Sequence, residues 1–458
     1  MSKATKIFLA IILAAVLTAA ALVGYNHWYW ENHFTVENTV YDRESETLDL
    51  RGTGISVEHY EALRQELPDC AIRWDIPFQG GFLADDTTEL TVSTLSQEDV
   101  DMLDYLPGLK TVEASGCRDY DLLLELQERH PDCAIRYTVT ILGDEFRNDT
   151  TQLRFDGEDP DAAELMAAMA YLPALESVHF EEPEMAAADL LALREQYPGV
   201  DITWVKTVFG EAYSDNVTEL DFSDIKMQTV DEVESAMAYF PSLEKLVMCD
   251  CGIDNETMAA FRDRAREHYK VVWSVKVGNT YIRTDDTYFM PVKYGITVFN
   301  DTVQNLKYCE DMLCVDLGHK EVWNISFVEG MPHLKYLIVA DGPIRDITPI
   351  SSCKELVYVE FFDTQIRDYS PLLGCTALED VNLAQTFGDP TVLGEMTWLK
   401  NLWLNLNGVS AEDRAYLTEC LPDTHIEFDH GFLTGGGWRQ LQNYYDMRDL
   451  LEMPYNTW

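Results

Sequence analysis

An apolar pattern that returns every 22 residues, with the finer spacing L-x-x-L-x-L inside each period, predicts an α/β fold. Repeats of about 20 to 29 residues with this spacing form leucine-rich-repeat solenoids, here expected to have a parallel concave sheet and a helical or irregular convex side. The period is marked by Met312, Leu334, Leu356 and Leu378. Because one turn cannot bury its own apolar edge, the turns must stack into an elongated surface.

Residues 312–430 are predicted to be the short repeats of this array. The strand pattern that starts at Leu334 is followed by the segment Ile344–Ile350, and the next period contains the matching segment Ile366–Leu372. The apolar residues of each strand should face the core, and the residues that alternate with them should face outward. The convex side of these turns is expected to be tight, because each period is short.

Residues 46–272 are predicted to be longer repeats with helices on the convex side. Matching blocks begin at Thr87, Thr150 and Val217, at intervals of 63 and 67 residues. Each block has room for three strands and two helices, which gives nearly the same spacing between strands as in the short repeats. Residues 273–311 fit the period least well and are predicted to be the junction between the two sets of repeats.

The first residues predict a single transmembrane helix ahead of the repeats. Lys3 and Lys6 precede an uncharged apolar run, and the predicted span 7–25 would be about 28 Å long as a helix, enough to cross a bilayer core. The two lysines predict a cytoplasmic tail at 1–6, and the bulk of the chain outside the cell. Residues 26–45 are then a juxtamembrane linker.

A cleavable signal peptide is the competing interpretation of the same run. Ala19–Ala21 matches the small-residue pattern of a cleavage site, although it lies inside the apolar run and not after it. Cleavage there would make the protein secreted instead of membrane-anchored.

The charge of the chain limits its partners. All 80 acidic residues but only 31 of the 33 basic residues follow Tyr25, which gives that part a net charge of −49. Such a field repels nucleic acid and anionic lipid headgroups, and it favours cationic partners. We therefore expect no nucleic-acid ligand.

The ten cysteines follow the repeats, and this favours a role in the core. Cys70 and Cys133 lie in identical hexapeptides, and Cys353 and Cys375 occupy the same position of successive turns. Repeat-equivalent cysteines are expected to be small buried residues and not disulfide partners. The oxidation state of the full set stays open at this level.

No motif in the sequence predicts catalysis, a cofactor or a metal. The metalloprotease, dinucleotide, P-loop and nucleophile-elbow patterns are missing from the sequence. The acidic turn 156–161 does not have the spacing of a calcium loop. We therefore expect a protein that is not an enzyme; a hydrolase with a site near residues 273–307 is a remote alternative.

The short repeats resemble those of internalin-type surface proteins of bacteria, in which an Ile-x-Asp-Ile-x-Pro-Leu segment follows each strand. The end of the chain, from Gly437 through Tyr455, resembles that of a group of leucine-rich-repeat proteins from gut Firmicutes. The resemblance implies binding of host or envelope proteins along the concave sheet. One departure is that Thr364 and Thr386, with Lys320 and Gly342, stand where this family usually has asparagine.

Residues 431–458 are predicted to form a C-terminal cap. Three glycines, Gly435–Gly437, precede a stretch rich in Trp, Tyr, Leu and Met. This composition indicates a flexible hinge and then a short helix that covers the last turn, as the terminal repeat of a solenoid requires.

An aromatic and acidic patch on the concave sheet is the predicted ligand-binding site. Its candidate residues are Asp316, Tyr336, Ile338, Tyr358, Glu360, Phe362, Asp380, Asn382 and Trp403. Exposed rings flanked by acids are typical of a binding site for a basic protein. The alternative is that the C-terminal cap covers these rings.

The favoured hypothesis is a membrane-anchored extracellular recognition protein that binds a protein or a glycan through its concave face. A structural scaffold that holds other membrane proteins in the envelope is the alternative. Stable stoichiometric partners in a detergent extract would favour the scaffold.

Overall fold

The structure is a computed structural model that describes residues 2–455. It divides between Thr207 and Val208 into two compact units, and each unit is described by itself below. Both contain short parallel strands contributed by successive turns of the chain, with helices between them. The predicted class is confirmed: the fold is a leucine-rich-repeat solenoid preceded by a long apolar helix.

The first element is the helix Lys3–Asn32, which has no buried residue. Leucine, alanine and isoleucine favour it, and the Ser2 side chain caps its first turn by accepting a hydrogen bond from the Thr5 amide at 3.2 Å. By length and composition alone, the helix is long enough and apolar enough to cross a membrane. The hairpin His33–Val36 with Thr39–Asp42 follows, so the predicted linker 26–45 consists largely of helix end and hairpin.

The first unit repeats a strand–helix–strand–helix–strand plan. Its other helices are Val57–Glu66, Gln97–Leu103, Tyr120–Arg129, Ala162–Met169 and Ala187–Gln196. Its parallel strands are Thr47–Asp49 with Ala71–Arg73, then Glu89–Thr91, Thr111–Glu113 and Ala134–Arg136, then Gln152–Asp156, Ser177–Glu181 and Asp201–Val208. Inward residues stack in register, as Leu153, Val178 and Ile202 do. This is the arrangement that the blocks of 63 and 67 residues predict.

Each long block ends in a hairpin that the repeat pattern does not predict. The alternating residues of 134–139 predict one continuous strand, but the strand stops at Arg136, and Thr138–Ile141 pairs antiparallel with Asp144–Arg147. Leu142 and Gly143 form the turn with φ of 52° and 85°, the conformation of a two-residue hairpin turn. In the sequence, the glycine after Leu142 is the residue that indicates this turn. The strands Asp75–Phe78 and Gly81–Ala84 form an equivalent hairpin.

The second unit contains the short repeats. Its helices are Asp231–Met237, Asn255–Ala265, Pro291–Tyr294, Ala411–Cys420 and Gln442–Leu450, and its 3-10 helices are Thr302–Tyr308, Ser326–Gly330, Thr348–Ser352, Ser370–Gly374, Pro390–Glu395 and Trp438–Gln440. Its smaller strands are Glu211–Ser214, Glu219–Asp221, Lys245–Val247, Lys270–Val272, Ser274–Val277 and Thr280–Arg283. The seven-stranded parallel sheet consists of Tyr288–Phe289, Cys314–Asp316, Tyr336–Ile338, Tyr358–Glu360, Asp380–Asn382, Asn401–Trp403 and His425–Glu427.

The predicted strand register is confirmed in this sheet. Leu337 pairs with Val359 and Val359 with Val381, and all three are fully buried in the solenoid core. Between strands the chain turns through the tight 3-10 helices, which bury Ile350 and Leu372 on the convex side. The solenoid core therefore lies between the sheet and the 3-10 helices.

Two threonines at the position where internalin-type repeats usually have asparagine bond the backbone of their own turns. The hydroxyls of Thr364 and Thr386 donate to the carbonyl oxygens of Phe361 and Leu383, at 2.8 and 2.6 Å. Main-chain bonds join neighbouring turns here, as from the amide of Asp341 to the carbonyl of Phe362. The turn is thus closed by a shorter side chain that bonds within its own repeat.

All ten cysteines, which lie within the described residues, are free thiols, and eight of them are buried. Cys353 and Cys375 lie in the solenoid core, as their repeat positions predict. Their Sγ atoms donate weakly to the carbonyl oxygens of Val328 and Ile350 in the preceding turns. They act as small apolar residues that also donate a weak hydrogen bond to a main-chain carbonyl oxygen.

Candidate functional site

The candidate site is the face of the seven-stranded sheet that is turned away from the solenoid core. Because side chains alternate along a strand, Leu337 points into the core while Tyr336 and Ile338 point to the opposite face. We call this second surface the inner face. It is formed by the outward residues of the strands from Tyr288–Phe289 to His425–Glu427 and by those that directly follow them.

The structure brings all nine predicted site residues together on the inner face. They form neighbouring rows, with Tyr336, Tyr358 and Asp380 in one and Ile338, Glu360, Asn382 and Trp403 in the next. Of the two alternatives for these residues, an exposed patch or rings covered by the C-terminal cap, the structure has the second. Asp316 is partly buried, and the other eight are at most 8% exposed.

The C-terminal residues of the chain cover these side chains. Residues 431–455, which we call the C-terminal segment, contain the 3-10 helix Trp438–Gln440 and the helix Gln442–Leu450. A helix was predicted here, but it was expected to cover the last turn. The segment instead lies on the inner face, where Asn443 bonds Asp380 and the Lys293 ammonium donates to the Leu451 carbonyl at 2.6 Å.

A hydrophobic cluster separate from the solenoid core joins the segment to the sheet. The segment contributes Trp438, Tyr444, Met447 and Leu451. The sheet side contributes Met290, Cys314, Tyr336, Ile338, Ala340, Tyr358, Phe362, Ala384 and Trp403. Of the sheet-side set, Met290, Cys314, Ala340 and Ala384 were not among the predicted site residues, although the last three follow the same alternation along their strands.

Trp438 is the centre of this cluster. Its ring stacks on Tyr358 with centroids 4.9 Å apart and an interplanar angle of 29°. It meets Trp403 edge-on, at 5.1 Å and 62°. Offset stacking and edge-to-face contact are the favoured geometries of aromatic pairs, so the inner face provides a fitted pocket for an indole.

Glu360 places a carboxylate at the bottom of that pocket. Its Oε1 accepts a hydrogen bond from Trp438 Nε1 at 2.7 Å and a second one from the Tyr358 hydroxyl. Burial, followed by the charge of Glu360, raises the pKa of Tyr358 well above its usual value, so this hydroxyl stays protonated and donates. A buried carboxylate needs such donors, because unpaired it would be strongly destabilising.

Other inner-face side chains bond the backbone of the C-terminal segment. Asn382 Nδ2 donates to the Leu433 carbonyl at 3.0 Å, and Trp403 Nε1 donates to the Gly435 carbonyl at 2.8 Å. Asn405, which was not among the predicted site residues, donates to the Phe432 carbonyl at 2.6 Å. These contacts hold a peptide backbone whatever side chains it carries.

Two further carboxylates lie at the margin of the pocket, and burial raises the pKa of both. Asp380 accepts from Asn401 and Asn443, at 2.8 and 3.0 Å, and these bonds only partly offset its desolvation. The pKa of Asp316 is raised to about 6, by desolvation first and also by the charge of Glu360, against the hydrogen bond from the Gly318 amide. The inner face is therefore acidic as well as aromatic.

The junction expected over 273–311 contains the pair of acids that a hydrolase would need, but their contacts are structural. Asp285 and Asp286 line a cavity of about 340 Å³. Asp285 is ion-paired with Arg283 and Lys245, and Asp286 accepts from the Arg283 amide at 2.9 Å. Within residues 2–455, no group of three or more His, Cys, Asp or Glu side chains is arranged to hold a metal ion.

Comparisons with known proteins give structural likenesses at low sequence identity. No family model and no curated protein matches the sequence. An internalin C2 of Listeria monocytogenes is 15% identical, with 49% of this chain and 87% of that chain covered and a TM-score of 0.26. An internalin (inlF) of the same species is 14% identical over 78% of this chain and 87% of that chain, with a TM-score of 0.21.

A leucine-rich-repeat protein of Leptospira interrogans is 12% identical and covers more of the chain, 84% of this one and 90% of that one, with a TM-score of 0.26. These three structures come from bacteria and are internalins or leucine-rich-repeat proteins. With its own strand register and repeat period, the chain is a leucine-rich-repeat protein.

Proposed function

We propose that this chain is a membrane-anchored recognition protein that binds a protein ligand through the inner face of its short-repeat sheet. One observation carries the proposal: the inner face binds a peptide, namely the C-terminal segment of the same chain, with an indole pocket and several backbone contacts. Buried aromatic anchors are the residues that dominate the energy of protein interfaces.

The contacts favour a peptide over a glycan as the ligand class. Asn382, Asn405 and Trp403 each donate to a main-chain carbonyl, a group that every peptide supplies. Glu360 accepts from an indole N–H at the bottom of an apolar pocket. Peptides provide both groups at the spacing that the inner face requires.

The charge of the chain favours a basic ligand. Asp316, Glu360 and Asp380 lie on the inner face, in a chain with a net charge of −47. Long-range attraction of a cationic ligand speeds association and is screened by salt. We expect association to be faster at low ionic strength, because the Debye length falls from about 30 Å at 0.01 M to about 10 Å at 0.1 M salt.

The helix Lys3–Asn32 is proposed as the membrane anchor, with the repeats outside the cell. Its apolar side chains are exposed to solvent in the isolated chain, which is what a lipid-facing helix would show. Lys3 and Lys6 at its beginning support a cytoplasmic N-terminus by the positive-inside rule. This orientation would present the inner face to ligands outside the cell.

Photo-crosslinking in membranes tests the proposed binding surface. A photoreactive phenylalanine analogue replaces His425, an exposed residue of the last strand whose ring contacts Trp403 of the inner face, or Trp323, an exposed aromatic near the 3-10 helix Ser326–Gly330 that serves as the control. We expect one defined protein adduct from position 425 and not from 323. Equal adducts at both positions, or none at 425, would contradict the proposal.

An envelope scaffold is the second candidate, and the covered state of the inner face favours it. If the C-terminal segment never leaves, the inner face is a structural core and partners must bind elsewhere. Stoichiometric membrane partners that crosslink through Trp323 and survive detergent extraction would support the scaffold.

A further inference from the structure

We infer that the C-terminal segment is an intramolecular ligand of the inner face, and that the external ligand is a peptide that displaces it with a tryptophan preceded by a backbone turn. The inference rests on the proposed function of the inner face. It adds the chemical class of the ligand and the way in which access to the site is controlled.

The solenoid core is complete without the C-terminal segment. That core runs through the unit to Leu421, with Ile426 and Phe428 packed against it, and it contains no residue of the segment. The segment belongs to the other hydrophobic cluster, on the opposite side of the sheet. Its release would therefore uncover the inner face without opening the fold.

The stretch that leads into the segment has no regular secondary structure and is rich in glycine. Between the last strand, His425–Glu427, and Trp438 there is no helix or strand, and four of the ten connecting residues are glycine. Gly436 and Gly437 have φ of 66° and 93°, a region that other residues rarely adopt. Part of this stretch is itself bound, through the carbonyls of Phe432, Leu433 and Gly435. Once these bonds break, a glycine-rich chain without regular structure allows the segment to leave the inner face and to return.

The bound segment does not satisfy every polar group that it buries. Asn405 Oδ1 and Arg439 Nε are buried without a hydrogen-bond partner. Unsatisfied buried groups weaken an interface, so a competitor that supplies a donor to Asn405 would bind better at that point. The segment is thus a ligand that leaves part of the site unused.

The contacts of the segment define the ligand that would replace it. An indole N–H must reach Glu360 between the rings of Tyr358 and Trp403. Carbonyl groups three, five and six residues before that tryptophan must reach the donors that now hold Gly435, Leu433 and Phe432. In the segment these carbonyls lie on a turn, in which the amide of Gly435 donates to the Phe432 carbonyl and the amide of Trp438 to the Gly435 carbonyl. The ligand is therefore a peptide with a backbone turn on the N-terminal side of a tryptophan.

A labelled peptide with the sequence of residues 429–455 tests this exchange on the full-length chain in detergent. Fluorescence anisotropy measures its binding to the wild-type chain, to the Trp438→Ala chain and to a Phe432→Ala control. Truncating Trp438 in the chain raises the fraction with an open inner face, so we expect apparent affinity to rise at least about tenfold in that variant alone. The same peptide with its tryptophan replaced by alanine should bind none of the chains.

A second variant tests the same inference without any substitution, in case the Trp438→Ala chain does not fold. A protease site inserted between His430 and Gly431 allows the chain to be cut just before the segment while all original side chains remain, and the labelled peptide should then exchange into the cut chain. Failure of the peptide to bind both the Trp438→Ala chain and the cut chain would overturn the inference. Mixed dimers that exchange their segments would assign the occupant to a second copy, which overturns the external peptide.

The two proposals fail in different ways. Peptide exchange without any adduct at position 425 would retain the intramolecular ligand and remove the recognition function. An adduct at 425 without peptide exchange would retain recognition and remove the displaceable segment.

Discussion

The indole nitrogen of Trp438 donates a hydrogen bond to the Glu360 carboxylate at 2.7 Å, across 78 residues of sequence. Glu360 accepts from the Tyr358 hydroxyl with the same oxygen and is only 4% exposed. A carboxylate that is buried without hydrogen-bond donors would be strongly destabilising. Glu360 is stable here because two donors, one from the sheet and one from the C-terminal segment, reach it together.

Replacing Glu360 by alanine should therefore destabilise the protein. The change leaves the Trp438 and Tyr358 donors buried without an acceptor, at an expected cost of about 2–5 kcal/mol in the free energy of unfolding. Glu360→Gln keeps one acceptor oxygen and should cost less. Urea titrations followed by tryptophan fluorescence measure both, with the exposed Glu321→Ala as a control expected within about 0.5 kcal/mol. Equal curves for Glu360→Ala and Glu321→Ala would refute this role.

The sequence predicts the register of the inner face but not what lies on it. The alternation of apolar residues along a strand decides which side chains turn away from the core, and for Tyr358, Glu360 and Trp403 that assignment is confirmed. Covering the face depends on contacts such as Asn443 with Asp380, between residues 63 positions apart. A local pattern carries no information about such contacts. The stretch from Gly437 is predicted to be a cap over either the last turn or the rings of the inner face, and the sequence does not decide between the two places.

The hairpins of the first unit show a similar limit of prediction from the sequence. Alternating apolar residues around Val139 predict a strand, and the structure has strands there. The break after Arg136 and the change from parallel to antiparallel pairing are set by neighbours in space and by the Leu142-Gly143 turn. Periodicity identifies extended chain better than it identifies pairing partners.

Leu337→Ala should cost about 2–5 kcal/mol in the free energy of unfolding, because Leu337 is fully buried in the solenoid core and alanine leaves a cavity. Differential scanning calorimetry should show a clearly lower melting temperature for this variant, while Glu321→Ala leaves it nearly unchanged. Equal melting temperatures for Leu337→Ala and Glu321→Ala would contradict the burial of Leu337 in the solenoid core.

Thiol labelling of the native chain should separate two cysteines from the other eight. Cys249 and Cys420 are partly exposed, and the rest are buried. Burial raises the pKa of Cys375 to about 12, so very little of its reactive thiolate is present at pH 8. Iodoacetamide at pH 8, with mass spectrometry of the peptides, should label Cys249 and Cys420 first and the others only in urea. Disulfide-linked peptides in the native protein would contradict this assignment.

The chain should stay attached to the membrane through residues 7–25. The helix Lys3–Asn32 continues past this span without interruption and ends next to a hairpin. Mass spectrometry of the protein from a membrane fraction washed at high pH should therefore find peptides that begin before residue 7. A mature N-terminus between Ala20 and Trp30 would show instead that the segment is a signal peptide.

The stability of the inner face should depend on pH through Asp316. Desolvation and the nearby Glu360 raise the pKa of this carboxyl to about 6, while His319, Arg448 and the Gly318 amide act in the opposite direction. A carboxyl whose pKa is higher in the folded state stabilises the fold when it is protonated. Its contribution is complete below the unfolded pKa near 3.8 and is lost as the pH rises through about 6.

Asp316→Asn removes this titration and keeps a polar side chain of the same size. We expect the variant to be more stable than the wild-type chain at pH 7.5, by about 1–3 kcal/mol, because a shift of about two pKa units corresponds to roughly 3 kcal/mol before solvent screening. The difference should shrink toward zero near pH 4, where the wild-type carboxyl is also uncharged in the folded state. Urea unfolding of both chains between pH 4 and 7.5 measures this difference in the free energy of unfolding. The other acidic residues titrate alike in both chains, so their contributions cancel in the difference. A difference that stays constant from pH 4 to 7.5 would place the Asp316 carboxyl in water, away from the covered margin of the inner face.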